Sequence, residues 1–102
     1  MGLLNLLGLG AKPDNLSEFV AKNAVIVDVR TAEEFASGHI EGSRNIPLDS
    51  IAAKVSEIKK WNQPVIVCCR SGMRSSQAAS LLKQNDIEVM NGGGWQNLQR
   101  RL

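Results

Sequence analysis

Aromatic side chains are scarce in this 102-residue chain: Phe19, Phe35, Trp61 and Trp95 are all it has. There is a single histidine, His39, and the only two cysteines, Cys68 and Cys69, are neighbours. Each shortage excludes something. Four scattered aromatics form no platform for stacking bases. The formal net charge is +2, with lysines and arginines spread along the chain, so no electrostatic footprint for nucleic acid is present. Adjacent cysteines cannot staple distant segments, and in an extended strand their side chains point to opposite faces. No disulfide framework follows, which agrees with a reducing compartment. One histidine and no zinc-like cysteine spacing argue against a metal site. No cofactor is expected either. No apolar run reaches the length of a membrane span, and residues 1–10 lack the positive n-region of a signal peptide, so the expected location is the cytoplasm. Gly2 has the setting of a myristoylation site, but Leu6 stands where Ser or Thr is wanted. The apolar segment 1–13 is expected to pack its leucines on the domain. The alternative is a tail that touches a membrane or a partner.

What is present is enough for one globular domain over residues 1–102, since 43% of the residues are hydrophobic. Leu16, Phe19 and Val20 have helical spacing, with Asn15 and Glu18 at capping-box positions. Residues 24–29 form a β-branched run, apolar on both faces, as in a central parallel strand. Thr31 and Glu34 have capping-box spacing for a short helix through Phe35 and Ala36, ending at Gly38. A loop over 38–42 leads to a short strand at 43–46, stopped by Pro47. The next helix starts at Asp49 or Ser50 and carries Ile51, Ala52, Val55 and Ile58 at helical spacing. Pro64 begins a strand over 64–69, and the helix after it buries Ala78, Leu81 and Leu82. Residues 87–90 read as a last strand and 91–94 as a flexible turn. Trp95, Leu98 and Leu102 mark the apolar face of a closing helix. Strands alternating with helices predict an α/β fold: a central, mostly parallel sheet of four to five strands, the fifth near the N-terminus, with helices on both faces. A domain of this size is expected to be a monomer.

The chemistry concentrates in Cys69-Arg70-Ser71-Gly72-Met73-Arg74-Ser75, between the strand 64–69 and the following helix. A chain turning from strand to helix points successive N–H groups inward, and the helix N-terminus adds positive potential. Such a setting lowers the pKa of a thiol, and Arg70 and Arg74 add cations. Gly72 can take a positive φ, which lets the loop curl around the sulfur. No histidine or carboxylate adjoins the loop in sequence. A Cys–His dyad would require His39 to approach in space, and His39 reads better as structural. A thiolate held by N–H groups needs no base. It needs an anionic substrate with an electrophilic centre, and planar guanidinium groups suit oxyanions such as thiosulfate, phosphate or arsenate. Met73 is expected at the pocket mouth. Asp28 and Arg30 are expected to brace the strand end. Cys68 reads as a buried strand thiol, or alternatively as a redox partner of Cys69.

These residues carry a resemblance to the single-domain rhodaneses, a thiosulfate sulfurtransferase-like family. It extends from about Asn15 to Leu102. It rests on Asp28-Val29-Arg30 with Glu33-Glu34-Phe35, and on Gly38-His39-Ile40-Glu41-Gly42-Ser43 leading to Asn45-Ile46-Pro47. The loop from Cys69 to Ser75 and the late Gly92-Gly93-Gly94-Trp95 complete it. The resemblance implies that Cys69 takes a sulfane sulfur from an anionic donor such as thiosulfate, forms a persulfide, and passes the sulfur to a thiol, cyanide or a protein acceptor. Arg70, Ser71, Gly72, Met73, Arg74 and Ser75 would bind substrate. A sulfur carrier that does not turn over freely is the alternative. A phosphatase or arsenate reductase relative is a more distant one. In this family sulfurtransferases have six residues in the loop, as from Cys69 to Arg74, and the phosphatase-like branch has seven, as from Cys68. Arg-Ser-Gly-x-Arg directly after Cys69, and no histidine before it, favour Cys69 as the first loop residue.

Overall fold

The computed structural model describes residues 15–102. The expected N-terminal segment 1–13 and the weakly signalled fifth strand lie outside the described residues. Within them the chain runs α1 (Asn15–Ala21), β1 (Val25–Asp28), α2 (Ala32–Ala36), β2 (Arg44–Asn45), a 3-10 turn (Leu48–Ser50), α3 (Ile51–Lys60), β3 (Val65–Cys69), α4 (Met73–Gln84), β4 (Val89–Gly94) and α5 (Trp95–Arg101). The described strands form one sheet in the order β2-β1-β3-β4, with every neighbouring pair parallel.

The alternation of β-branched residues decides which helix goes where. In a strand, successive side chains face opposite ways. Val27, Val65, Val67 and Cys69 face one side, where they pack with Ile51 and Ile58 of α3 and Ala78 and Leu82 of α4. Ile66 and Cys68 face the other side and pack with Leu16 and Phe19 of α1 and Leu98 of α5. The sheet is thus covered on both faces, as the apolar runs in β1 and β3 predict. β3 is buried along its whole length.

Amphipathic spacing overestimates burial at three places. Val20 is 50% exposed, Leu102 is 52% exposed, and Ala52 is exposed. Asn15, expected as a cap, is itself helical and belongs to α1. The capping box of α2 is present: Glu34 N–H donates to Thr31 Oγ1 at 3.2 Å, and Thr31 N–H donates to Glu34 Oε1 at 3.0 Å.

The largest departure from expectation is the glycine run. Residues 91–94 are not a flexible turn; they are the last four of the six residues of β4. The pairing with β3 shifts there: Val67 faces Asn91, but Cys68 faces Gly93, so Gly92 is the extra residue of a bulge. A Cβ on Gly92 would lie 2.9 Å from both Ile66 Cγ2 and Leu98 Cδ2, and one on Gly94 would lie 2.7 Å from the carbonyl oxygen of Arg70. These glycines serve close approach, not flexibility. Gly92→Ala is therefore expected to destabilise the fold by about 1–3 kcal/mol, the usual cost of overpacking. Urea unfolding checks this, and an unchanged midpoint would mean that α5 yields freely.

Candidate active site

β3 ends at Cys69, and α4 begins at Met73, so the turn between them is three residues long: Arg70, Ser71 and Gly72. Met73 and Arg74 belong to the first turn of the helix, earlier than the sequence suggests. Gly72 is the N-cap, with φ 101° and ψ −8°. This left-handed conformation suits glycine and disfavours residues with a Cβ. The sharp turn folds the helix start back over the end of β3. Gly72 N–H donates to Cys69 Sγ at 3.0 Å, and Ser75 N–H donates to it at 3.4 Å. The Ser75 hydroxyl lies 3.3 Å from the same sulfur. Burial, the largest influence, pushes the Cys69 pKa up. Hydrogen bonds from the Ser75 hydroxyl and from the N–H groups of Ser75, Gly72 and Ser71 oppose it and together bring the pKa below that of an ordinary thiol.

Cys68 is the opposite case. It is fully buried on the α1–α5 face, and its pKa is pushed up to about 12 by burial and by the nearby Asp28 carboxylate. Adjacent thiols thus differ because the sheet separates them: one faces the helix N-terminus, the other an apolar layer. His39 is not among the hydrogen-bond partners of Cys69. Its ring stacks on Phe35 at 3.7 Å, and its Nδ1 bonds the Phe35 carbonyl at 2.7 Å.

The expected binding residues separate into groups. Gly72 and Ser75 reach the sulfur. Met73 is 73% exposed and borders an open depression with Ser71, Gly72, Ser76, Asn91 and Gly93. Arg70 is exposed and lines a different recess with Glu34, Ser37, Trp95 and Gln96. Among the described residues no carboxylate pairs with Arg70. Arg74, expected as the anion ligand closing the loop, has its guanidinium on Glu34, at 2.8 Å to Oε1 and 3.1 Å to Oε2. A bidentate carboxylate already fills the role that an anion would take.

Beneath the loop, Asp28 and Arg30 form a buried ion pair, with Arg30 Nε 2.9 Å from Asp28 Oδ1 and Nη2 2.7 Å from Oδ2. Arg30 also donates to the carbonyls of Gly38 at 2.7 Å and Glu34 at 3.3 Å, and stacks over Trp95 at 4.8 Å. Asn45 donates to the carbonyls of Asp28 and Arg30. One guanidinium thus ties β1, α2 and α5 together, which is the bracing expected of this pair. Among the described residues, no three His, Cys, Asp or Glu side chains gather as a metal site would require, and no helix is long and apolar enough to cross a membrane.

Comparison with known proteins agrees with this architecture. The family model described as a rhodanese-like domain matches residues 12–100. The chain belongs to the rhodanese-like family. This rhodanese-like domain is 39% identical over 75 residues to the uncharacterized protein YqhL of Bacillus subtilis, a match covering 71% of this chain and 59% of that protein. It is 37% identical over 75 residues to the thiosulfate sulfurtransferase GlpE of Pseudoalteromonas translucida, covering 71% of this chain and 70% of the relative. Among solved structures, a rhodanese-like domain protein from Staphylococcus aureus superposes with a TM-score of 0.67 at 33% identity, covering 95% of this chain and 83% of that one.

Two contributors escaped the sequence reading. Glu34 is legible as a cap, but its grip on Arg74, 40 residues away, is not. Asn91 sits beside the loop because β4 pairs with β3. Its one local signal is the bond that its side chain accepts from Gly93 N–H two residues on, an Asx turn.

Glu34 also supplies a pH test. Hydrogen bonds from Arg74 and then from the Thr31 backbone hold its pKa at about 2, below the ordinary 4.5. A depressed carboxylate contributes stability that is complete above the unfolded pKa and is lost as pH falls through the folded one. Between pH 4.5 and 2 the wild type is expected to lose stability that Glu34→Gln does not have to lose. Urea midpoints across that range check this; parallel curves for the two proteins would show that the pair contributes nothing.

Proposed function

We propose that this domain transfers a sulfane sulfur from an anionic donor of the thiosulfate type to a nucleophilic acceptor through a persulfide on Cys69. The observation that carries this reading is the sulfur of Cys69 facing backbone N–H groups at the start of a helix, with no base in contact. That environment stabilises an anionic sulfur without needing a proton acceptor. It serves a thiolate before the reaction and a persulfide anion after it.

The atoms balance simply. The Cys69 thiolate attacks the outer sulfur of thiosulfate. A new S–S bond forms, the donor's S–S bond breaks, and its electron pair leaves with sulfite. The acceptor, which is cyanide, a small thiol or a protein thiol, then attacks the terminal sulfur of the persulfide. The Cys69 thiolate is released, and no net proton or electron is consumed by the domain. With the Arg74 guanidinium engaged by Glu34, the loop N–H groups and the exposed Arg70 are left to meet the donor's negative charge. Met73 offers an apolar rim to an approaching acceptor. Relatives named as thiosulfate sulfurtransferases support the reaction class, and two free cysteines fit a reducing compartment such as the cytoplasm.

Intact-mass measurement after incubation with thiosulfate is expected to give a gain of one sulfur atom in the wild type and in Cys68→Ala, and none in Cys69→Ala. An adduct that survives in Cys69→Ala would refute the assignment. A stable persulfide with almost no turnover on cyanide would point to a carrier that awaits a protein acceptor. Steady aryl phosphate hydrolysis, lost in Cys69→Ser, would favour a phosphatase instead. Arg70→Ala is expected to raise KM for thiosulfate about tenfold, the loss of one charge-assisted contact. An unchanged KM would assign donor binding to the backbone alone.

A further inference from the structure

Asn91 opens the glycine run of β4 and makes three hydrogen bonds around the loop. Its amide oxygen accepts the Gly93 N–H at 2.9 Å, and its amide nitrogen donates to the Gly72 carbonyl at 3.1 Å. A backbone N–H only donates and a carbonyl only accepts, so these two contacts decide which end of the amide is oxygen. The Ser75 hydroxyl lies 2.6 Å from that oxygen and 3.3 Å from Cys69 Sγ. A hydroxyl carries one proton. The short contact with an acceptor-only oxygen claims that proton, and the hydroxyl then presents a lone pair to the sulfur. The chain of donors therefore runs from the Cys69 S–H to Ser75 Oγ, and from the Ser75 O–H to Asn91 Oδ1. Ionisation reverses the first link. A thiolate only accepts, and the Ser75 hydroxyl can serve it only by leaving Asn91, whose oxygen keeps the Gly93 N–H alone.

We propose that Asn91 is a positioning residue that competes with the Cys69 sulfur for the single proton of Ser75, and so holds part of the nucleophile in the thiol form at rest. It acts through Ser75 and does not touch the sulfur. The other titratable or charged groups facing this end of the sheet sit on other elements: Arg70 in the turn, Arg74 of α4 with Glu34 of α2 upon it, the buried Asp28–Arg30 pair at the end of β1, and the buried Cys68 thiol within β3. β4 carries no titratable side chain. Its influence on Cys69 is thus the demand of one amide oxygen for a proton. A sulfur kept partly protonated is less prone to oxidation, which proceeds through the thiolate.

The test is the pH profile of iodoacetamide alkylation of Cys69, measured in Cys68→Ala so that one thiol reports. It does not depend on whether Cys69 transfers sulfur. Asn91→Ala is expected to lower the midpoint and to make Cys69 about three- to tenfold more reactive at a fixed pH below it, the effect of freeing one hydrogen bond. Ser75→Ala is expected to raise the midpoint. In the Ser75→Ala background, Asn91→Ala is expected to change nothing further, which a general loosening of the loop would not reproduce. A midpoint that stays or rises in Asn91→Ala, or the same shift with and without Ser75, overturns the proposal. Asn91→Leu keeps the side-chain volume and carries the same expectation should the alanine variant fail to fold.

Discussion

The end of β4 lies so close to the turn after β3 that no side chain fits between them. Gly94 would place a Cβ 2.7 Å from the Arg70 carbonyl, and a Cβ on Gly72 would lie 3.4 Å from the Gly93 backbone. This near contact is what the site depends on. It presses a three-residue turn into a tight curl, gives Gly72 its left-handed conformation, and swings the first N–H groups of α4 onto the Cys69 sulfur. A bulkier strand would push the turn outward and take the N–H groups with it. The late glycines are therefore part of the sulfur's environment, although they never touch it.

The charges around the turn are arranged so that each is held by something rigid. Arg30 is buried, and the cost of desolvating it is offset by a bidentate carboxylate and two backbone carbonyls. Arg74 is clamped by Glu34, which is itself fastened to the start of α2 by its capping box. The result is a frame of paired charges around a sulfur that has only dipoles in direct contact. Arg70 is the exception, exposed and without a carboxylate among the described residues. Arg70 is thus the one cation of the turn left exposed, while Arg30 and Arg74 hold the scaffold in shape.

The two adjacent thiols show how far environment outweighs proximity. One residue of offset along β3 turns the side chain to the other face of the sheet. There, burial and Asp28 raise the Cys68 pKa, while Cys69 has its pKa lowered by hydroxyl and N–H donors. Of the two thiols, only Cys69 faces the donors of the turn.

Much of this was legible in the chain itself. The β-branched runs at 24–29 and 64–69 specify central parallel strands because only a strand covered on both faces can use apolar residues at every position. The order of strands and helices, the Thr31–Glu34 cap, and the cysteine at a strand-to-helix turn are local patterns, and each reappears in the fold. The glycine run was misleading, since a sequence cannot distinguish glycines chosen for flexibility from glycines chosen for lack of a side chain. Partners remote in sequence were invisible for a similar reason. Arg74 reads as an anion ligand because Glu34 comes near it only after β1 and β3 pair, and Asn91 reads as part of a turn because its reach to Ser75 requires β4 to lie beside β3. The sequence by itself determined the layers and the placing of a cysteine pair at a strand-to-helix turn. The tertiary structure decided which hydrogen-bond donors the sulfur shares and which arginine is left free, because those contacts exist only between segments that the sheet brings together.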